Sequence, residues 1–134
     1  MFSHVTLGVS DFARAVGFYR GLMDLLGHSL RFEDAAKGWA GWQPSDAARP
    51  LLLISWPFDG GPATSGNGTM VALNAASRAL VDQAHAYALA AGAVDEGAPG
   101  LRPHYHADYY GAYFRDPDGN KLCVVCHAPG TAKS

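Results

Sequence analysis

The densest chemistry in this sequence lies in Arg102-Pro103-His104-Tyr105-His106-Ala107-Asp108-Tyr109-Tyr110. An arginine fork clamps carboxylate or phosphate, and histidine passes protons near neutral pH. His104 and His106 are two residues apart, so in an extended segment they share one side and could supply half a metal site. Near the start stands His4, and near the end Cys123-Val124-Val125-Cys126. The cysteine spacing is that of a redox or zinc motif, which needs a helix start or a tight knuckle to bring both sulfurs together. Here the run reads as a strand, and residues three apart point to opposite faces. Cys126 is therefore expected in the core and Cys123 on a cavity wall, with no disulfide between them. Asp116-Pro117-Asp118-Gly119 reads as a turn and not a calcium loop, because its glycine comes too early and no glutamate follows at the required spacing. The chain has no nucleophile-elbow serine, phosphate-binding glycine loop or dinucleotide fingerprint.

These residues must be held by a repeated framework. A shift of 66 residues lays Ser3-His4-Val5-Thr6-Leu7 over Thr69-Met70-Val71-Ala72-Leu73, and in both halves a short strand runs into a helix. The first helix is predicted from about Asp11 to Leu26, with Phe12, Ala15, Val16, Tyr19, Leu22, Met23 and Leu26 as its apolar stripe and Ser10 as its cap. Gly17 and Gly21 within it are read as marks of close contact with a strand. The second helix is predicted from about Arg78 to Ala91, stopped by Gly92. Three strand-like runs follow each helix: His28–Glu33, Gly38–Gln43 and Leu51–Trp56, then Ala93–Glu96, Tyr109–Arg115 and Lys121–His127. Gly97 to Pro103 reads as irregular. A single domain results, with a first βαβββ module at about 1–56, a linker at 57–68, a second module at about 69–128 and a frayed tail at 129–134.

Alternation along each strand assigns the faces. Val5, Leu7 and Val9 lie under a helix, so His4, Thr6 and Gly8 look the other way. Met70, Ala72 and Asn74 oppose Val71 and Leu73. Tyr109, Tyr113 and Arg115, with Cys123, Val125 and His127, share the non-helical face of the last strands. A curved sheet with helices outside has a concave face that can surround a ligand. His28 and His85 show no partner and are expected to be partly exposed.

The 134 residues carry 10 basic and 12 acidic side chains, a net charge of −2, and 49% hydrophobic residues. That balance, without a lysine-arginine run, argues against nucleic acid and anionic membrane as partners. No apolar run approaches the ~18 residues of a membrane span, and no signal peptide is read at the start. With two cysteines, a cytoplasmic location is expected. Charged residues are only 16% of the chain, against ~25% in average domains. Part of the surface is therefore expected to be covered by a second copy in a homodimer.

His4 in the first strand, Phe12 to Gly27 with Phe18-Tyr19, Gly92 after the second helix and Arg115-Asp116-Pro117-Asp118-Gly119-Asn120 before the last strand together resemble the vicinal oxygen chelate superfamily. This family includes glyoxalase I, bleomycin-resistance proteins and extradiol dioxygenases, and the resemblance runs from about Met1 to Ala128. It implies an α+β fold of two paired βαβββ modules, a curved mixed sheet around a cavity, and helices outside. It also implies a metal held by histidine, carboxylate, histidine and glutamate on four inner strands. His4 matches the first position. The fourth strand, Leu51-Leu52-Leu53-Ile54, offers no carboxylate, Met70 stands at the third position and Cys123 at the fourth. A divalent metal (Zn, Ni, Fe or Mn) would therefore need non-standard ligands beside His4, such as His104 or His106 folding inward.

Three functions follow from the resemblance. One is a metal-dependent lyase or isomerase of glyoxalase type, and a second is a metal-independent member in which His4, His104 and His106 move protons. The third is a protein that sequesters a small, partly aromatic molecule. Arg102, Tyr109, Tyr113, Arg115, Met70 and Cys123 are the expected ligand contacts, and Trp39 and Trp42 are expected to stack on it. The favoured reading is small-molecule binding in a metal-poor cavity.

Overall fold

The structure is a computed structural model and describes residues 1–130. The last part of the expected frayed tail, residues 131–134, lies outside the described residues. The first half runs β1 (His4–Gly8), α1 (Phe12–Leu26), β2 (His28–Asp34), β3 (Trp39–Pro44) and β4 (Leu51–Ser55). The second half repeats it as β5 (Met70–Asn74), α2 (Arg78–Ala90), β6 (Val94–Leu101), β7 (Tyr110–Arg115) and β8 (Lys121–Cys126). The halves form two four-stranded mixed sheets of the same topology, β1-β4-β3-β2 and β5-β8-β7-β6. In each, the first strand is parallel to the last and the other pairs are antiparallel.

Helix α1 forms because its apolar positions recur three and four apart; Phe12, Ala15, Val16, Phe18, Tyr19, Leu22 and Met23 are all buried. Asp11, not the expected Ser10, caps it: the Asp11 carboxylate accepts from the Arg14 amide at 3.1 Å. The Ser10 amide instead donates to Asp118 Oδ1 at 2.9 Å. Gly27 ends the helix at φ 85, a left-handed conformation that glycine adopts freely. Helix α2 is capped by the Ser77 side chain, which accepts from the Leu80 amide.

The helices cover the apolar faces of the sheets. Leu7, Val9, Trp42, Leu52 and Ile54 of the first half join Phe114, Leu122 and Val124 of the second and both helices in one core. At about 25 cal/mol per Å² of apolar surface, this shared burial is what holds the halves together. α1 packs on β2, β3 and β4, α2 packs on β6, β7 and β8, and the helices meet each other. Gly21 marks that meeting, since a Cβ there would fall 2.1 Å from the Tyr87 hydroxyl of α2. The close approach is thus to a helix and not a strand, and Gly17 faces open space. β6 is longer than the alternation indicated. It runs to Leu101 through two register shifts on β7, which glycines and Pro99 hid from the period-two pattern.

His85, expected to be unpartnered, is 7% exposed and its Nε2 lies 3.0 Å from Asp95 Oδ1. The Asp95 carboxyl is held below its ordinary value, chiefly by the Gly97 amide and then by His85. No helix is long and apolar enough to cross a membrane among the described residues.

Candidate functional site

The non-helical face of each sheet forms its own hollow. On the first sheet, β1 contributes His4 and Thr6, β4 contributes Leu53 and Ser55, and β3 contributes Trp39. The register places them together, because Thr6 pairs with Leu53 and Trp39 with Ser55. Trp56, Pro57, Phe58 and Gly60 build the rim of this hollow, which has a volume of about 680 Å³. Segment 57–68 is therefore not a bare connection. Its Ala63 lies where a Cβ on Gly8 would be 3.5 Å away, and its first residues wall the cavity.

Two glycines shape this wall. At Gly38, with φ 59, a Cβ would fall 2.1 Å from the Trp56 indole, so the indole lies against bare backbone. The Trp56 amide donates to the Gly38 carbonyl at 2.9 Å. At Gly41 a Cβ would fall 2.5 Å from Leu53 and 2.7 Å from Phe32. Phe32 in turn packs on Trp39 with ring centres 4.3 Å apart. Trp39 is 39% exposed on the hollow side of β3. Trp42 is not, for it is 1% exposed in the core beside Tyr19. It occupies the opposite parity of β3 from Trp39 by one extra step, and that step turns it toward the helix.

His4 is exposed in this first hollow. The Ser3 hydroxyl lies 2.9 Å from its Nδ1, which leaves Nε2 without a protein partner among the described residues. Lys37 adds a cation to the same lining.

The second hollow, about 240 Å³, is lined by Glu96, Arg102, His104, Tyr105, Tyr113 and Lys121. Tyr113 is central. Its ring is approached by the Arg102 guanidinium at 5.4 Å and the Lys121 ammonium at 5.9 Å. Its hydroxyl lies 2.9 Å from that of Tyr109, which also lies 3.4 Å from Cys123 Sγ. Burial pushes the Tyr109 phenol well up, and its contacts with Cys123 and Tyr113 add to the rise. Burial likewise raises the Cys123 thiol and the Tyr113 phenol. All three groups thus stay protonated at neutral pH and act as a neutral hydrogen-bonded floor.

Arg115 is committed elsewhere, with Nε donating to Glu96 Oε1 at 2.7 Å and Nη1 to the Gly119 carbonyl at 3.0 Å. Met70 is 42% exposed on β5, in register with Lys121. His106 does not enter the lining. Its Nε2 lies 2.8 Å from His127 Nδ1, and the Asp108 amide donates to its Nδ1 at 3.1 Å. The structure therefore gathers Arg102, His104 and Tyr113 in one hollow with Tyr109 and Cys123 behind them, and His4 in the other. Among the described residues none lines both.

Within one copy, these donors do not make the metal site expected from the resemblance. Among the described residues no three His, Cys, Asp or Glu side chains come together as ligands. His4 has Leu51 as its register partner, and Cys123 is buried with its Sγ 3.4 Å from the Tyr109 hydroxyl. Cys126 is likewise buried, and both cysteines are free.

Lys37, Leu53, Ser55, Trp56 and Phe58 were not evident as lining from sequence. Trp39 and Trp56 flank the first hollow at the ends of adjacent strands, and that pairing of aromatics was the available signal.

Among solved structures, a glyoxalase/bleomycin resistance protein from Albidiferax ferrireducens is 35% identical, with a TM-score of 0.85 over 94% of this chain and 98% of that one. A glyoxalase/bleomycin resistance protein/dioxygenase family enzyme from Burkholderia phytofirmans is 20% identical (TM-score 0.68; 94% and 98% covered). A lactoylglutathione lyase from Agrobacterium tumefaciens is 21% identical (TM-score 0.63; 94% and 92% covered). The last two are likenesses of fold alone. No curated protein matches the chain in sequence. The family model for the glyoxalase/bleomycin resistance protein/dioxygenase superfamily matches residues 1–124, and the chain belongs to that superfamily.

Proposed function

We propose that this chain binds a small, partly aromatic molecule, and that two copies complete the cavity by setting the first hollow of one against the second hollow of the other. The observation that carries the reading is the 680 Å³ hollow with Trp39, Trp56 and His4 in its lining and one open side. A volume of that order suits a drug-sized ligand, but such ligands bind best when most of their surface is covered. A lone sheet face cannot do that. Exposed Trp39, Trp56, Phe58 and Met70 on the two hollow-bearing faces give a second copy apolar surface to cover.

His4 and the wall of Arg102 and Tyr113, with Met70 at its side, are the contacts in this reading, and Tyr109 and Cys123 support that wall from behind. A catalytic version is favoured by one observation, the unpartnered Nε2 of His4 in the hollow. There His4 would move a proton to or from the bound molecule, without a metal. The buried free thiols fit a reducing, cytoplasmic setting.

Light scattering tests the pairing, with a dimer expected and a monomer at high concentration overturning it. Titration of tryptophan fluorescence with small aromatic compounds tests the binding. Recovery of the bound compound unchanged supports sequestration, and conversion lost in His4→Ala supports proton transfer. Near-stoichiometric Zn, Ni, Fe or Mn in purified protein would overturn the metal-free reading.

A further inference from the structure

We propose that the ligand carries an oxygen anion, a carboxylate or a phosphate, beside its aromatic part, and that Arg102 and Lys121 receive that group. The inference rests on the cavity reading above and specifies its substrate class. It comes from the charges left uncompensated on the second hollow. The one carboxylate in its lining, Glu96, is bound by Arg115 at 2.7 Å. Among the described residues neither Arg102 nor Lys121 has a carboxylate within ion-pair distance, although the chain as a whole carries a net charge of −2. Both approach a single ring, that of Tyr113. Two cations in one small lining repel each other, and an anion received beside them relieves that repulsion.

Arg102 is also held for the task. Its Nη2 donates to the Ala98 carbonyl at 2.8 Å, and its guanidinium lies over bare backbone. A Cβ at Gly97 would be 3.2 Å from Nη2, and one at Gly100 would be 3.1 Å from Nη1. One amino group is thus anchored while further N–H donors of the fork remain. A fixed fork loses little freedom when it binds a planar oxygen anion, often through two parallel hydrogen bonds. Tyr105 and His104 stand in the same lining.

The other hollow carries the aromatic surface. With Trp39, Trp56 and Phe58 on one wall and Arg102 and Lys121 on the other, the two walls sort a ligand by its two ends. An aryl compound with a charged oxygen group satisfies both. An aryl amine meets the aromatic wall but is repelled by Arg102 and Lys121, and Lys37 adds a third positive charge.

The test is a matched panel of naphthalene and indole compounds, each as carboxylate, phosphate, alcohol and amine, read by tryptophan quenching of the 134-residue chain. Carboxylates or phosphates should bind at least about 10-fold more tightly than the alcohols, and the amines least. That preference should fall with added salt. Arg102→Gln and Lys121→Gln should each remove most of it, so that acids and alcohols bind each variant about equally. Arg102→Lys, which keeps the charge but not the fork, should keep only part. Arg20→Gln, remote from both hollows, should change nothing. Thermal melting confirms that each variant is folded. A larger gain for phosphates assigns a phosphate subsite, and a larger gain for carboxylates assigns a carboxylate one. Equal binding of acids and alcohols, with no effect of Arg102→Gln, overturns the inference while the cavity reading stands. Absence of quenching by every compound overturns both.

Discussion

The Tyr19 hydroxyl of α1 lies 2.5 Å from Asp116 Oδ2 in the turn before β8, with both residues buried. This contact joins the first half of the chain to the second across 97 positions. Burial, then the Asp116 charge, raises the Tyr19 phenol well above its ordinary value, so it remains the donor. Asn120 completes the link, donating from Nδ2 to Asp116 Oδ2 at 3.0 Å and to the Gly8 carbonyl at 2.9 Å. Tyr19→Phe leaves a buried carboxylate oxygen short of a donor. It should lower stability by about 1–3 kcal/mol, read as a lower denaturant midpoint. An unchanged midpoint would show that the halves do not depend on this bond.

Gly21→Ala should destabilise, against helix propensity. Alanine is favoured over glycine by about 1 kcal/mol in a helix interior. Here the added methyl would displace the Tyr87 ring, whose hydroxyl donates to the Phe18 carbonyl at 2.8 Å. The net loss should be about 1 kcal/mol or more, and Tyr87→Leu should make the same change neutral or stabilising. Thermal melts of the two single variants and the double variant decide it.

Gly38→Ala should weaken the first hollow as well as the fold. The residue sits at φ 59 and its new Cβ would meet the Trp56 indole. A side chain in that conformation costs about 1–2 kcal/mol, and the indole must leave the wall. Aromatic ligands should bind less tightly to the folded variant by fluorescence titration, and unchanged affinity would place Trp56 outside the site.

The floor of the second hollow should make the fold sensitive to alkali. Tyr109, Tyr113 and Cys123 all hold their protons more tightly when folded than when unfolded. Each contribution is complete below the unfolded value, 9.0 for the thiol and 10.0 for the phenols, and is lost as pH rises toward the folded value. Stability should therefore fall above about pH 9, and Tyr109→Phe should flatten that limb of the curve. Both cysteines should also resist a thiol reagent at pH 8 until the protein is unfolded. Fast labelling of the native state would contradict their burial.

The paired modules, both helices and the faces of β1, β5, β7 and β8 were legible because alternation and three–four spacing report burial directly. His4 in a hollow and Cys126 in the core followed from that parity. Trp42 was missed because two tryptophans three apart on a strand cannot share a face, and sequence does not say which one is inside. His85 was missed because its partner Asp95 comes from a strand ten residues away. The extent of β6 was hidden by Gly97, Pro99 and Gly100, which break the alternation that a bulged strand still satisfies with its backbone. The separation of His4 from His104 depends on how the halves pack, and no local pattern encodes it.

Because each hollow is lined by one half only, damage to the site should be complementable between copies. Mix a Trp39→Ala chain with an Arg102→Gln chain in the paired arrangement proposed above. One of the mixed pair's two sites then collects both lesions, and the other is wild type throughout. Two preparations, each impaired in tight binding of aryl anions, would regain it on being unfolded and reassembled together.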